Sequence, residues 1–274
     1  MKRFFLCLMA ALLLCACNKK ENCVITILQT SDTHSRIEAE RGGQAGLTGR
    51  EKFINAVRDS VGCDNFLLLD CGDFSQGSLY YNVYKGAFEI DAMNILRYDA
   101  GTIGNHEFDF GLENLASLLK RAKFPVVCAN LDFTGTPCEG LVKPYVIVER
   151  SGKKIGIFGL SPNPDGLVLK DNYEGVSYRS PIETAREYSS KLHSEGCELV
   201  ICLSHLGFNI PSRCSDEQLA AETSGIDIIL GGHSHDLFKE PVIRKNNIGK
   251  DVVINHSGKY GRTVGLLSAS IKAE

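Results

Sequence analysis

The sequence predicts an α/β fold. Short apolar runs rich in Val, Ile and Leu recur along the chain, and segments with a helical spacing of apolar residues separate several of them. Polar side chains that suit metal ions directly follow five of these runs, and they include five of the seven histidines. Open α/β sheets bind ligands at the carboxyl ends of their strands, so these observations predict a functional site at that edge of the sheet.

The composition is that of one large globular domain. The chain has 274 residues, of which 43% are hydrophobic and 23% charged, and no Pro/Ser-rich linker or repeat of fixed period divides it. We therefore predict a single domain over residues 24–274. The net charge is −3 and the sequence has no dense Lys/Arg stripe, so nucleic-acid polymers are not expected as partners.

Residues 1–16 are typical of an export signal. A basic start precedes an uninterrupted apolar run that is too short to span a bilayer comfortably. The segment Leu14-Cys15-Ala16-Cys17 is typical of a bacterial lipobox, which makes Cys17 the predicted lipidation site and residues 17–23 a lipid-anchored tether. An ordinary cleaved signal with an incidental Cys17 is the alternative. Both interpretations export the protein, and the first predicts a periplasmic or cell-surface lipoprotein held at a membrane.

Eight of the eleven cysteines lie after Cys17, and none of the eight forms a C-x-x-C pair. A structural zinc knuckle is therefore not expected. Export permits disulfides, but the sequence assigns no pairing. Cys128 and Cys202 lie inside strand-like runs and are predicted to be buried as small hydrophobic residues.

The first predicted strand, Val24–Thr30, leads into Asp32 and His34. Residues two apart at a strand end point the same way, so the two side chains could bind one cation together. A turn Asp beside a surface His is the alternative. Asp73 follows the next buried strand and a glycine turn, whereas Asp70 is interpreted as a structural carboxylate. The other predicted elements of this half are a helix over about 46–61, a strand over 66–69, a helix over about 87–96, a strand over 100–103, a helix over 112–121 and a strand over 125–131.

The turn over residues 104–111 lies between an apolar run and a helical pattern. Its Asn105 offers a carbonyl oxygen suited to a divalent cation, and its His106 offers a titratable imidazole. Asp109 could orient that imidazole. This strand-to-helix turn is therefore a position at which polar side chains converge on a ligand.

In the second half of the chain, histidines directly follow two predicted buried strands. His205 follows one of them, and the sequence Gly231-Gly232-His233-Ser234-His235 follows the other. An H-x-H pair after two glycines favours a metal site. The other two histidines, His193 and His256, are interpreted as structural. The predicted elements are a β-hairpin over 145–160, a long loop over 161–181, a helix over 182–195 and strands over 198–203, 226–230, 252–255 and 263–271.

Five motifs together resemble the signature of the calcineurin-like metallophosphoesterases. They are D-x-H, G-D-x-x-x-G, G-N-H-E, a later single His and G-H-x-H. The full string over 104–111 and the closing segment 260–265 resemble the 5′-nucleotidase branch of that family, and the match covers about residues 24–271. The resemblance implies a four-layer α/β-β/α sandwich with mixed sheets flanked by helices.

The resemblance also implies a centre with two divalent metal ions. Mixed nitrogen and oxygen ligands suit Zn, Mn, Fe or Co and do not select among them. By the family motifs, one ion would be held by Asp32, His34 and His235, the other by Asn105, His205 and His233, and both by Asp73. His106 and Asp109 would be the catalytic pair, and Asn105 and His106 would contact the substrate phosphate.

The implied function is hydrolysis of phosphate esters by an exported enzyme, with nucleotides as the expected substrates. Cyclic nucleotides and UDP-sugars are alternatives within the family, and an inactive metal-bound scaffold subunit is an alternative of another class. Full-length members of this branch carry a C-terminal domain that supplies nucleoside-stacking aromatics and phosphate-binding arginines. That domain is expected to be missing here, so a separate polypeptide that supplies it is a predicted partner.

Overall fold

The computed structural model describes residues 22–39, 46–211 and 213–272. The predicted leader over 1–16 and the lipidation site Cys17 lie outside the described residues. Within the described ranges, no helix is both long enough and apolar enough to cross a membrane.

Strands and helices alternate along most of the described chain. The strands are β1 (Cys23–Thr30), β2 (Phe66–Asp70), β3 (Ala100–Gly101), β4 (Leu131–Asp132), β5 (Tyr145–Arg150), β6 (Lys153–Leu160), β7 (Ser177–Tyr178), β8 (Leu199–Ser204), β9 (Ile228–Gly231), β10 (Val242–Lys245), β11 (Asp251–His256) and β12 (Gly265–Ile271). The helices are α1 (Leu47–Val61), α2 (Leu79–Tyr84), α3 (Ala87–Leu96), α4 (Gly111–Arg121), α5 (Pro181–Ser194) and α6 (Asp216–Glu222).

Two mixed sheets form the centre of the fold. One has the order β12-β1-β2-β3, in which β1, β2 and β3 are parallel and β12 is antiparallel. The other has the order β10-β11-β9-β8-β6-β5, in which the four central strands are parallel and both edge strands are antiparallel. The parallel strands of each sheet therefore bring their carboxyl ends to one edge.

Side-chain alternation packs the two sheets face to face. Ile27 on β1 and Ile201 on β8 belong to one buried cluster between the sheets. Leu28, the neighbour of Ile27, instead packs outward with residues of α1, α3 and α4. Phe158 on β6 likewise packs outward with residues of α5 and α6. Because strand residues alternate between faces, each sheet buries both faces, and the predicted four-layer sandwich is confirmed.

The β-hairpin predicted over 145–160 is present, and its turn has a clear local cause. Ser151 and Gly152 link β5 to β6 with φ values of 48° and 71°. Two consecutive left-handed residues match the right-handed twist of paired strands. The helix predicted from Ile182 begins one residue earlier, where Pro181 occupies the first turn and the Ser180 hydroxyl accepts from the Glu183 N–H.

The strand predicted over 125–131 is wrong for most of its length. Only its last residue lies in a strand, β4, and of the rest only Val126 and Val127 make isolated bridges. Its N–H groups go to different segments: Val127 donates to Gly101, Cys128 to Lys143 and Ala129 to Gly159. The apolar pattern predicted the burial of this segment correctly, but no single neighbour offers it a continuous ladder. Four short elements are absent from the sequence-based prediction: α2, α6, β7 and β10.

Candidate metal centre

The residues predicted as metal ligands lie at the carboxyl ends of strands in the two sheets. They come from the loops after β1, β2, β3, β8 and β9. Three overlapping groups have ligand atoms within 4.8 Å of one another: Asp32, His34 and His235; His34, Asp73 and His106; and Asp73, His205 and His233. Asp73 and His34 each belong to two of these groups. Loops distant in sequence thus bring their nitrogen and oxygen donors together in the way that a two-metal centre requires.

The first group surrounds one oxygen of Asp32. His235 Nε2 lies 3.5 Å from Asp32 Oδ1, and His34 Nε2 lies 4.0 Å from the same oxygen. His34 Nδ1 lies 3.2 Å from the Ser75 carbonyl oxygen. A ring whose Nδ1 donates to a carbonyl carries its lone pair on Nε2, which is the atom that faces Asp32. This arrangement fits a cation between the two imidazoles and the carboxylate.

The group of Asp73, His205 and His233 contains two acceptors that face each other. His205 Nδ1 lies 2.6 Å from the Cys71 carbonyl oxygen, which leaves Nε2 as the acceptor atom, 3.0 Å from Asp73 Oδ2. Burial opposes a charge on His205, but Asp73 and Asp32 outweigh it and raise the pKa of His205 to about 10. A proton can therefore occupy this gap, and a metal ion would displace it. Burial and the neighbouring His205 lower the pKa of His233 to about 4, so that ring is a neutral donor.

Buried polar atoms without partners provide a test of the metal assignment. Asn105 Oδ1 has no hydrogen-bond partner among the described residues, and the neutral His205 ring presents Nε2 to the Asp73 carboxylate without a proton between them. Asn105 is 8% exposed and His205 is fully buried. An unsatisfied buried polar atom is costly, and coordination of a cation would satisfy both atoms. The donor set therefore fits two divalent ions, whereas the assignment of each residue to one ion stays a prediction.

Most of these side chains sit on strained backbone. Five of the seven predicted ligands have left-handed φ values: Asp32 (50°), His34 (45°), Asp73 (53°), His233 (73°) and His235 (60°). Such conformations cost about 1–3 kcal/mol each in non-glycine residues, and they cluster at functional sites. Strand alternation, on which the sequence argument for Asp32 and His34 rests, is therefore not the cause of their convergence. Left-handed turns aim the side chains instead.

Glycines let the loops approach each other at the centre. A β-carbon on Gly104 would lie 2.1 Å from Asp73 Oδ1, and one on Gly232 would lie 2.3 Å from the Ser31 hydroxyl oxygen. Neither position has room for a side chain. The two glycines therefore allow the Asp73 and Asp32 loops to reach their neighbours.

His106 and Asp109 form the predicted pair at the border of the centre. His106 Nδ1 lies 2.9 Å from Asp109 Oδ2, and the two side chains are 30% and 32% exposed. Burial opposes protonation, but the hydrogen bond to Asp109 raises the pKa of His106. The His106 backbone N–H donates to Asp73 Oδ1 at 2.9 Å. The long loop over 161–181 borders this pair, because Asn172 Nδ2 donates to the Asp109 carbonyl oxygen at 2.9 Å.

Glu107 has a structural role that the sequence analysis did not assign. Its carboxylate accepts the backbone N–H groups of Asp73 (2.9 Å), Ser75 (3.1 Å) and Gly104 (2.7 Å). Burial raises the pKa of Glu107 to about 7. One carboxylate thus joins the loops after β2 and β3. The only signal in the sequence was its place in the G-N-H-E motif.

A second buried network lies at the end of β8, in the six-stranded sheet. The Ser204 hydroxyl donates to Asp216 Oδ1, and His256 Nε2 lies 2.7 Å from Asp216 Oδ2. All three residues are buried. Ser204 precedes the predicted ligand His205, so this network fixes the end of β8. Its geometry agrees with the structural interpretation of His256, and His193 is bound to the Gly225 carbonyl oxygen at 2.9 Å.

Asp70 and the cysteines agree with their predicted structural roles. Asp70 accepts from the Thr30 hydroxyl at 2.6 Å and from the Gly72 N–H at 2.9 Å. Cys128 and Cys202 are buried, and the eight cysteines of the described chain are free thiols. Asp70, Cys128 and Cys202 therefore belong to the buried framework of the fold.

Known proteins are similar in sequence to this chain over most of its length. The sequence profile of a family described as calcineurin-like phosphoesterase matches residues 25–237. The snake venom 5′-nucleotidase of Naja atra is 30% identical over 270 residues, which cover 90% of this chain and 50% of that protein. The 5′-nucleotidase of Homo sapiens is 32% identical, over 89% of this chain and 46% of that protein. The chain spans about half the length of the curated relatives it matches.

Solved structures of nucleotidases are also similar to this chain. The 5′-nucleotidase precursor from Thermus thermophilus superimposes with a TM-score of 0.81 and 35% identity, over 89% of this chain and 51% of that one. The NAD nucleotidase of Haemophilus influenzae superimposes with a TM-score of 0.81 and 28% identity, over 93% of this chain and 48% of that one.

Proposed function

The chain belongs to the calcineurin-like phosphoesterase family, and from this premise we propose that it is a metal-dependent hydrolase of phosphate esters. The observation that carries the proposal is the sharing of Asp73 between two groups of donors, with the His106–Asp109 pair alongside. A strongly cationic centre bordered by an imidazole suits a phosphate dianion. The complete donor set and the intact pair also favour an enzyme over an inactive scaffold.

The chain's own residues supply positioning and proton transfer. When bound, two divalent ions would activate water and withdraw charge from the phosphoryl oxygens. Asp109 binds His106 Nδ1, so Nε2 is the ring nitrogen that faces a substrate. The raised pKa of His106 favours its protonated form, which can stabilise phosphoryl charge or donate a proton to the leaving oxygen. Asn105 and His106 together are the proposed contacts to the phosphate.

Release of phosphate from a generic aryl phosphate tests the proposed activity. We expect turnover when Mn²⁺ or Zn²⁺ is added to protein that has been stripped with a chelator, and background rates without metal. Stripped protein that takes up two equivalents of metal but releases no phosphate from any ester would favour the scaffold function.

Nucleotides are the substrates that we propose, with cyclic nucleotides and UDP-sugars as alternatives. Support comes from relatives named 5′-nucleotidase. Rates with AMP, a cyclic nucleotide and a UDP-sugar, measured side by side, would rank the three classes. The separate polypeptide that supplies further nucleotide contacts stays a prediction, and co-purification of such a protein would test it.

We also propose that the protein is an exported lipoprotein. The support is the leader and lipobox pattern ending at Cys17. Cys17→Ser is expected to abolish incorporation of a labelled fatty acid and to release the protein from the membrane fraction, because the anchored thioether can no longer form. A serine variant that remains labelled and membrane-bound would contradict the lipidation site.

A further inference from the structure

Three cationic side chains surround one aromatic ring beside the metal centre. Arg36 Cζ lies 4.6 Å, Lys259 Nζ 4.9 Å and Arg262 Cζ 5.3 Å from the centre of the Tyr260 ring. Arg36 and Arg262 are exposed, and Lys259 is half-buried. We refer to these four residues as the Tyr260 cluster.

A buried arginine holds the two sides of the cluster together. Arg50 Nη2 donates to the Arg36 carbonyl oxygen at 2.9 Å. Gly261, which lies between Tyr260 and Arg262, packs against the same guanidinium, so that a β-carbon there would lie 2.7 Å from Arg50 Nη1. Arg50 itself is 7% exposed. Segments more than 200 residues apart in sequence are thus fixed next to each other by one buried side chain.

The cluster adjoins the predicted metal ligands. The Tyr260 N–H donates to the Asp32 carbonyl oxygen at 2.7 Å, and the Tyr260 ring centre lies 5.8 Å from that of His34. The His106 ring also packs on His34, at 5.4 Å. The rings of His106 and Tyr260 therefore pack against the same histidine.

The charge distribution is suited to an anion. The like charges of Arg36 and Lys259 around one ring repel each other, and each exposed cation–π contact attracts only weakly. The ion pairs of the described chain do not include Arg36 or Lys259. Positive charge next to a centre that is itself cationic would be unfavourable unless an anion binds between them. Guanidinium groups bind phosphate oxygens in bidentate fashion, which favours a phosphoryl group as that anion.

We propose that the Tyr260 cluster binds a second phosphoryl group of the substrate, next to the one that is cleaved. This subsite rests on the proposed phosphohydrolase function and defines its substrate class as a nucleoside diphosphate or a related phosphoanhydride. The oxygen of water bonds to the terminal phosphorus, and the bond from that phosphorus to the bridging oxygen breaks. The bridging oxygen leaves on the nucleoside monophosphate, and one proton of the water passes to it or to solvent.

The test compares ADP with AMP in the presence of Mn²⁺. Arg36→Gln and Lys259→Gln are each expected to lower the ratio of kcat/KM for ADP to kcat/KM for AMP by about tenfold, since each removes one charge-assisted contact to the second phosphate. Lys191→Gln is the matched control. Its Nζ lies 5.1 Å from the ring of Tyr145, so it removes an equivalent cation–π contact outside the cluster, and it is expected to leave the ratio unchanged.

A binding measurement separates this subsite from the proposed activity. By titration calorimetry, the wild-type protein with Mn²⁺ is expected to bind inorganic pyrophosphate more tightly than inorganic phosphate, and Arg36→Gln is expected to remove that preference. If this holds while no ester is hydrolysed, the proposed function fails and the subsite stands. An unchanged ADP/AMP ratio in both variants, or equal affinity for the two anions in the wild-type protein, would overturn the subsite.

Discussion

His106→Ala is expected to keep both metal ions and to lower kcat by about 10²–10⁴-fold, the usual contribution of a positioned acid–base group. The imidazole is held by Asp109 at 2.9 Å, and its side chain is 30% exposed. Its loss removes a proton donor without removing the donors grouped around Asp32 and His205. Steady-state kinetics with an aryl phosphate and metal analysis of the purified variant measure the two effects.

His193→Ala is the matched control, because that ring is bound to a backbone carbonyl away from the centre and both metals and kcat should persist. Normal turnover of His106→Ala would contradict the catalytic assignment. Loss of one metal would show instead that His106 is a ligand in the group it shares with His34 and Asp73.

Asp109→Asn extends this prediction to pH. The hydrogen bond that the Asp109 carboxylate accepts from His106 Nδ1 raises the pKa of His106 against the effect of burial. A step that needs protonated His106 is lost as pH rises through that pKa. Without the carboxylate the pKa is lower, so the alkaline limb of the kcat profile is expected to move to lower pH. An alkaline limb at the same pH in both proteins would mean that another group titrates.

Asp73→Ala is expected to abolish stoichiometric binding of both ions and to reduce hydrolysis to background. Asp73 Oδ2 lies 3.0 Å from His205 Nε2, and the Asp73 carboxylate also belongs to the group with His34. Removing a residue that merely orients a ligand weakens metal binding by about 10–100-fold, so loss of a shared ligand should exceed that. Calorimetric titration with Mn²⁺ measures the number of ions bound and the affinity for them.

Asp70→Asn is the control for a buried carboxylate on the same segment. Asp70 bonds Thr30 and Gly72 and belongs to none of the three donor groups, so this variant should still bind two equivalents. Thermal unfolding with a chelator present would establish that the Asp73 variant is folded. If folded Asp73→Ala bound two ions with wild-type affinity, the shared-ligand assignment would be wrong.

The sequence was informative wherever function and fold depend on local pattern. Alternation along Val24–Thr30 predicted a strand, and the strand-end polar residues predicted one edge for the site. The predictions of secondary structure failed where contacts with distant segments decide which backbone hydrogen bonds form. The segment over 125–131 has strand-like composition, but its N–H groups serve three different partners. The short helix α2 depends on its Ser78 cap and on packing, and it has too few residues for a periodic signal.

By itself, the sequence determined the order of most elements, the residue types at the strand ends and the family that those motifs resemble. These properties are local, because hydrophobic periodicity and short motifs need no knowledge of distant neighbours. The tertiary structure decided how the loops converge. Left-handed turns at Asp32 and Asp73 aim the carboxylates inward, Glu107 joins two of the loops, and Arg50 joins Arg36 to Gly261. Each of these depends on contacts between segments far apart in the chain, which no local pattern encodes.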